Sequence, residues 1–156
     1  MKIVKTSEMQ WADGLQQGKY GQRRKALGGE KLSCGLWELA PGKKSFPFHM
    51  HHVTEEAMFV ISGKGKVRST EGEQAIGPGD YVSFLPGKDA HQVINDGTEP
   101  LVYVGMGAGL GVDVVEYPDS KKVASSVGTA PTGKRFIFKM ENQAQYFDGD
   151  LDAETK

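Results

Sequence analysis

The stretch 46-FPFHMHHVTEEAMFVISGKG-65 joins a histidine-rich segment to an apolar run and a glycine turn. It holds three of the four histidines in the chain. Side chains alternate between the two faces of a strand, so His49 and His51 point one way while His52 points the other way. The run AMFVI that follows is rich in residues that favour strands. The stretch therefore predicts two imidazoles on one strand face, leading into a buried strand.

Short β-branched or aromatic runs alternate with turn signals from residue 32 to residue 117. Glycine makes up 21 of 156 residues, nearly double the ordinary usage of about 7%, as expected for many turns between short strands. This spacing is typical of an all-β sandwich or barrel. The predicted strands are Leu32–Leu39, Ala57–Ser62, Gly65–Ser69, Tyr81–Leu85, Gln92–Asn95, Leu101–Gly105 and Val112–Tyr117.

The length of 156 residues suits a single domain with one core. Residues 1–27 are polar with isolated apolar anchors, and we expect them to form an irregular arm or one more strand. Residues 28–117 form the predicted barrel. Residues 118–156 form a C-terminal extension that packs on the barrel or swaps from it, with a loop-like part over 120–134 and a strand-like run, RFIFKM, over 135–140.

The charge balance excludes several classes of partner. Lys plus Arg number 19 and Asp plus Glu number 20, so the chain lacks the basic footprint of a protein that binds nucleic acid or an anionic membrane. No window approaches the roughly 20 apolar residues of a spanning helix. The single cysteine excludes an internal disulfide. We therefore expect a cytoplasmic protein with neither nucleic acid nor membrane as a partner.

Glu56 and His91 complete a set of candidate metal ligands. Glu56 lies five positions after His51, close enough for a turn through HVTE to return its carboxylate to the same centre. His91, within LPGKDAHQVIN, has to arrive from a different strand. Together with His49 and His51 they offer three neutral nitrogens and one anionic oxygen, which suits Fe, Mn, Ni, Cu, Co or Zn. A His-x-His pair alone would more often be a surface pair, so the prediction depends on Glu56 and His91. No cofactor other than this divalent metal is predicted.

These residues resemble a known family. Residues 41–65 are similar to the first signature of the cupin superfamily, which is a glycine, His-x-His, a glutamate and a second glycine, and residues 79–95 are similar to the second signature. The resemblance implies an all-β fold made of a single cupin-type jelly-roll β-barrel. It also implies that His49, His51, Glu56 and His91 are the metal ligands, and that the protein forms a homodimer, because small cupins commonly pair through sheet edges.

The resemblance implies a list of reactions without choosing among them. Four protein ligands leave two adjacent positions of an octahedral metal open to a small oxygen-rich metabolite, as in cupin dioxygenases, decarboxylases and isomerases. Candidate catalytic side chains beyond the ligands are Glu55, His52 and Tyr103. Two alternatives stay open: a non-enzymatic small-molecule binding or sensor module, and a metal-free sugar epimerase or isomerase.

Overall fold

A computed structural model describes residues 1–29, 31–109, 111–128 and 133–150 of the chain. Three single-turn 3-10 helices lie at Thr6–Glu8, Pro118–Ser120 and Met140–Asn142. No helix among these residues is long and apolar enough to cross a membrane. The strands are β1 Ala12–Gln17, β2 Tyr20–Gly28, β3 Leu32–Leu39, β4 Met50–His51, β5 Glu55–Ser62, β6 Gly65–Ser69, β7 Gly72–Ile76, β8 Tyr81–Phe84, β9 Gln92–Ile94, β10 Leu101–Ala108, β11 Val112–Tyr117, β12 Lys122–Val127 and β13 Lys134–Lys139.

The strands form two layers. One layer is a six-stranded sheet in the order β1-β2-β3-β10-β5-β8, and the other combines a four-stranded sheet, β13-β12-β11-β4, with a three-stranded sheet, β7-β6-β9. Neighbouring named strands are all antiparallel. The predicted all-β jelly-roll β-barrel is confirmed.

The hydrophobic core fills the space between the six-stranded and three-stranded sheets. Leu39, Val60 and Leu101 are completely buried there, and full burial of each such side chain stabilises the fold by about 1.5–3 kcal/mol. Because strand side chains alternate, each strand gives the core every second residue. The buried cluster comprises Leu39, Met58, Val60, Val67, Ile76, Phe84, Val93, Leu101 and Tyr103.

Strand β10 is longer than predicted, since it continues past Gly105 to Ala108. The glycine-rich run there makes room for a large side chain from β3. A Cβ atom on Gly105 would lie 2.8 Å from Nε1 of Trp37, and one on Gly35 would lie 3.1 Å from the same atom. The absence of a side chain at Gly35 and at Gly105 therefore leaves room for the Trp37 indole.

The flanks of the chain extend the sheets. The N-terminal residues, expected to form an irregular arm or one more strand, instead form two paired strands, β1 and β2. Strand β2 pairs with β3, and β1 is the edge strand of the six-stranded sheet. The loop predicted over 120–134 is wrong in its first half, because β12 pairs on one side with β11 and on the other with β13. The strand-like run is confirmed as β13.

Candidate metal centre

Two of the histidines are brought together by a short backbone bridge. The amide of His49 donates to the carbonyl of His91 over 3.1 Å, and the amide of His91 donates to the carbonyl of His49 over 2.8 Å. Such a reciprocal pair fixes two residues directly opposite each other. Their side chains are nearly buried, and the ring centroids lie 4.6 Å apart.

The third histidine and the glutamate come from other strands. His51 is on β4, opposite Val115 of β11. Glu56 is on β5, between Gly107 of β10 and Phe84 of β8. The four predicted ligands therefore reach one place from the sheets of both layers.

All three imidazoles converge on one carboxylate oxygen. Oε2 of Glu56 lies 3.3 Å from Nε2 of His91, 3.4 Å from Nε2 of His51 and 3.8 Å from Nε2 of His49. The ligand atoms of His49, His51 and Glu56 all lie within 4.8 Å of one another. This is the donor set that divalent transition metals bind.

The other ring nitrogen of each histidine is held by an acceptor. Nδ1 of His49 donates to the carbonyl of Pro47 over 2.9 Å, and Nδ1 of His91 donates to the carbonyl of Asp89 over 3.0 Å. A proton on Nδ1 leaves the lone pair of Nε2 free, which is the form that ligates a metal. The backbone therefore sets both the tautomer and the direction of these rings.

For His51, the acceptor at Nδ1 is the carboxylate of Asp113. One oxygen of its carboxylate, Oδ2, accepts a hydrogen bond from Nδ1 of His51. The other, Oδ1, accepts the amide of Val53 over 3.1 Å. Burial would favour the neutral acid, but the hydrogen bond from His51 holds the pKa of Asp113 below its usual range. A carboxylate behind a ligating histidine orients the ring and raises its basicity.

The glutamate at the centre is ionised. Burial opposes the charge on Glu56, but the imidazoles of His49, His91 and His51 around it outweigh that effect and hold the pKa of its carboxyl well below the usual range. An ionised carboxylate is the form that binds a cation.

Aromatic rings pack around the histidines. The ring of Phe84 stacks on His91 with centroids 3.6 Å apart, and the ring of Tyr117 stacks on His49 with centroids 6.2 Å apart. Phe46 meets His49 edge-on at 6.0 Å. Walls of this kind limit the rotation of the imidazoles and keep the site apolar beyond its donors.

Among the described residues, two cavities are each lined by three of the candidate ligands. The smaller one, which we call the barrel cavity, has a volume of about 160 Å³ and is lined by residues that include His49, Glu56, His91, Trp37 and Tyr103. The larger one, the hairpin cavity, has a volume of about 480 Å³ and lies towards β12 and β13. Its lining residues are Leu15, Phe46, Pro47, His49, His51, Glu56, Val115, Tyr117, Lys122, Arg135 and Ile137.

The candidate catalytic residues are placed differently from one another. Tyr103 is buried in the wall of the barrel cavity; its burial and the Glu56 carboxylate raise the pKa of its hydroxyl, so the phenol stays protonated. His52 is exposed, with Nε2 at 3.4 Å from Oε2 of Glu116. Glu55 is exposed beside Glu56 on β5. The structure brings Tyr103 to the site and leaves His52 and Glu55 outside it.

Sequence reasoning missed several residues around the site. The signal for Asp113 was an acid at a position that alternates with Val115 and Tyr117 on the inner face of β11, where all three are buried. Lys122 and Arg135 carried no such signal, because β12 pairs with β11, and β13 with β12, only in the folded chain.

Comparison with known proteins agrees with this geometry. The family model described as Cupin domain matches residues 35–107. No curated protein matches the sequence. A protein of Acidithiobacillus ferrooxidans, provisionally described as a sugar phosphate isomerase, is 30% identical, with a TM-score of 0.80 over 92% of this chain and 95% of that one.

Two further structures share the fold at lower identity. A sugar phosphate isomerase from a cupin superfamily, from Silicibacter pomeroyi, is 19% identical, with a TM-score of 0.78 over 94% of this chain and 98% of that one. A protein of Thermotoga maritima, described as a predicted oxalate decarboxylase, is 20% identical, with a TM-score of 0.63 over 70% of this chain and 100% of that one.

Proposed function

Since the chain belongs to the cupin superfamily, we propose that it is a metal-dependent enzyme that acts on a small oxygen-rich metabolite. The metal is a divalent ion from the series Fe, Mn, Ni, Co, Cu and Zn, held by His49, His51, Glu56 and His91. One observation carries the proposal: three imidazole Nε2 atoms lie within 3.8 Å of a single carboxylate oxygen.

The residues fit such an ion. Each Nε2 is free to ligate because the Nδ1 atom of the same ring contacts a carbonyl or a carboxylate. A divalent metal bound there would polarise a carbonyl or carboxylate oxygen as a Lewis acid, or serve as a redox centre if it is iron or manganese. The chain itself contributes the orientation of the rings, the apolar wall of Phe84 beside His91, and the protonated hydroxyl of Tyr103 as a hydrogen-bond donor in the barrel cavity.

Among the reactions that cupins carry out, isomerisation of a small hydroxy-carbonyl compound is the best supported. The relative with 30% identity over nearly its whole length is provisionally described as a sugar phosphate isomerase. The neighbour described as a predicted oxalate decarboxylase is 20% identical and covers less of this chain. Isomerisation moves one proton between neighbouring carbons and one between the oxygens they carry, so it needs no external oxidant.

Elemental analysis of protein purified without added metal or chelator tests the proposal. The unaltered protein should contain close to one equivalent of a transition metal. His49→Ala and His91→Ala should each lose most of it, because each removes one direct donor. His52→Ala is the matched control, since its ring is exposed and faces Glu116, and its metal content should be retained.

The result also separates the proposal from its alternatives. Protein that holds no stoichiometric metal, and takes up none of the six candidate ions, would sink the metal-dependent enzyme and favour the metal-free sugar epimerase or isomerase. Metal-loaded protein that leaves aldose and ketose phosphates unchanged would favour the non-enzymatic binding module.

A further inference from the structure

The inner face of the four-stranded sheet carries two basic side chains next to the candidate metal centre. Lys122 stands directly opposite Tyr117 in the pairing of β11 with β12. Residues directly opposite each other project to the same side of a sheet. Nζ of Lys122 lies 5.6 Å from the centroid of the Tyr117 ring, so the ammonium group sits over that ring inside the hairpin cavity.

Arg135 reaches the same tyrosine from the neighbouring strand. Arg135 lies on β13 and pairs with Ser126 of β12. Its Nη2 group donates a hydrogen bond to the hydroxyl of Tyr117. The ring of Tyr117 stacks in turn on His49. Tyr117 thus connects the two basic groups to one of the candidate metal ligands.

These two cations have no counter-ion among the described residues. No carboxylate there lies within 4.0 Å of Nζ of Lys122 or of the Arg135 guanidinium. The acidic groups of the neighbouring centre are already engaged, Glu56 with the three imidazoles and Asp113 with His51. The hairpin cavity therefore carries positive charge that a ligand would have to balance.

We propose that Lys122, Arg135 and the Tyr117 hydroxyl bind the phosphate group of a phosphorylated small-molecule substrate, whose other end reaches the metal ligands. This inference rests on the proposed function. The hydroxyl of Tyr117 accepts from Arg135, so its own proton is free to be donated to a ligand. With the planar fork of Arg135 and the ammonium group of Lys122, the site offers donors from three side chains.

That arrangement selects a phosphate over a carboxylate. A phosphate monoester presents three terminal oxygens and close to two negative charges, whereas a carboxylate presents two oxygens in one plane and a single charge. The cavity volume of about 480 Å³ lies in the range of small-molecule sites, which is about 300–1,000 Å³. His49, His51 and Glu56 form one wall of that cavity, so a substrate anchored at Arg135 can reach the metal ligands.

Calorimetric titration of the full chain with ribose 5-phosphate, ribose, inorganic phosphate and acetate tests the proposal. Each titration is run on the protein as purified and again after chelation, because phosphate also binds metals directly. Both phosphate probes should bind better than ribose or acetate in either state. Lys122→Gln and Arg135→Gln should each weaken ribose 5-phosphate by about tenfold or more, as expected for loss of a charge-assisted hydrogen bond. Tyr117→Phe should weaken it less, because it keeps the ring and removes only the hydroxyl.

Lys134→Gln is the matched control. Lys134 is the neighbour of Arg135 on β13, is exposed and projects to the opposite face, so its substitution removes the same charge and should leave binding unchanged. Equal binding by Lys122→Gln, Arg135→Gln and the unaltered protein overturns the inference. Equal weakening by Lys134→Gln also overturns it, as does binding of acetate as tightly as phosphate. The inference is overturned as well if neither phosphate probe binds at 10 mM, a concentration on the order of a weak site's dissociation constant.

The metal content of each variant is measured alongside. Retained metal without phosphate selectivity overturns this inference and leaves the proposed function standing. Phosphate selectivity in a protein that never holds metal supports this inference and overturns the proposed function.

Discussion

At the residue scale, the candidate centre depends on atoms that do not themselves face the metal. The two oxygens of the Asp113 carboxylate accept different hydrogen bonds. One accepts from the His51 ring, and the other accepts from the backbone amides of Val53 and Thr54. The carboxylate therefore fixes the His51 ring and the chain that leads from β4 to β5. The carbonyls of Pro47 and Asp89 do the same for the other two histidines.

Asp113→Asn should weaken metal binding by about 10 to 100-fold while leaving the chain folded, because the ring of His51 loses its anionic acceptor. The affinity is measured by competition with a chromogenic chelator. Glu116→Gln is the control, since Glu116 lies on the same strand and faces His52, and it should bind metal as tightly as the unaltered protein. Equal affinities for Asp113→Asn and Glu116→Gln would contradict a role for Asp113 in positioning His51.

At the element scale, the turn that carries the chain from β5 in the six-stranded sheet to β6 in the three-stranded sheet is set by a close backbone approach. Gly63 has a φ of 78°, in the left-handed region that favours glycine. A Cβ atom there would also lie 2.3 Å from the carbonyl oxygen of Pro100. The turn therefore needs glycine for two reasons, its dihedral angle and its neighbour.

Gly63→Ala should lower the free energy of unfolding by roughly 2 kcal/mol or more, from backbone strain together with the clash. Gly42→Ala separates the two effects, because Gly42 also has a positive φ, 71°, but nothing lies within 4 Å of its Cβ position. Gly42→Ala should lower the free energy of unfolding by about 1 kcal/mol. Urea denaturation of both variants measures the difference, and equal losses would show that the approach of Pro100 is unimportant.

An ion pair connects the three-stranded sheet to the turn after β11. Both terminal nitrogens of Arg68 on β6 donate to the carboxylate of Asp119, over 2.6 and 2.9 Å. These hydrogen bonds hold the pKa of Asp119 below its usual range. A carboxyl whose pKa is lowered in the folded state adds stability above its unfolded pKa, and that stability is lost as the pH falls through the folded value.

The coupling free energy between Arg68 and Asp119 should therefore be about 0.2–1 kcal/mol at pH 7, as for other exposed pairs, and it should decrease as the pH falls below the unfolded carboxyl pKa of about 3.9. A double-mutant cycle with Arg68→Gln and Asp119→Asn, measured by urea denaturation, isolates the pair from the contact of Arg68 with the Phe48 ring. A coupling of zero at pH 7, or one that stays unchanged down to pH 2.5, would show that the ionised carboxylate of Asp119 does not stabilise the fold through Arg68.

At the scale of the whole molecule, metal binding and folding are linked. A metal that binds only the folded chain stabilises it by about 2.7 kcal/mol when its free concentration is 100 times the dissociation constant. For a domain of this size each kcal/mol is worth roughly 2–4 °C, so chelation should lower the Tm by about 5–11 °C. Scanning calorimetry should give the same decrease for His52→Ala and almost none for His91→Ala. An unchanged Tm in the unaltered protein would contradict the linkage.

The homodimer stays a prediction, as does the packing or swapping of residues 118–156. Strand β13 lies at the edge of its sheet and exposes the rings of Phe136 and Phe138 by 50% and 56%, which gives a second copy an edge and an apolar surface to pair with. Sedimentation equilibrium should report a dimer that Phe138→Lys weakens. A monomer of constant size across micromolar concentrations would remove the prediction.

The sequence by itself determined the fold class and predicted which side chains meet at the candidate centre. Strand alternation predicted His49 and His51 on one face and His52 on the other, and a turn through HVTE predicted the return of the Glu56 carboxylate to the same centre. Such inferences succeed because the period of a strand and the preferences of a turn are local properties. The strands β3, β6 and β11 follow the predicted bounds for the same reason.

Tertiary structure alone decided what surrounds those donors. His51 is 62 residues from Asp113, and Tyr117 is 18 residues from Arg135, so no local pattern connects either pair. Strand β12 looked like a loop because its alternation is weak, and it became a strand because β11 and β13 each supply hydrogen bonds along its length. Sequence periodicity shows which side chains share a face. Only the pairing of distant strands determines which faces meet, and here that pairing sets the orientation of His51 and the charge of the hairpin cavity.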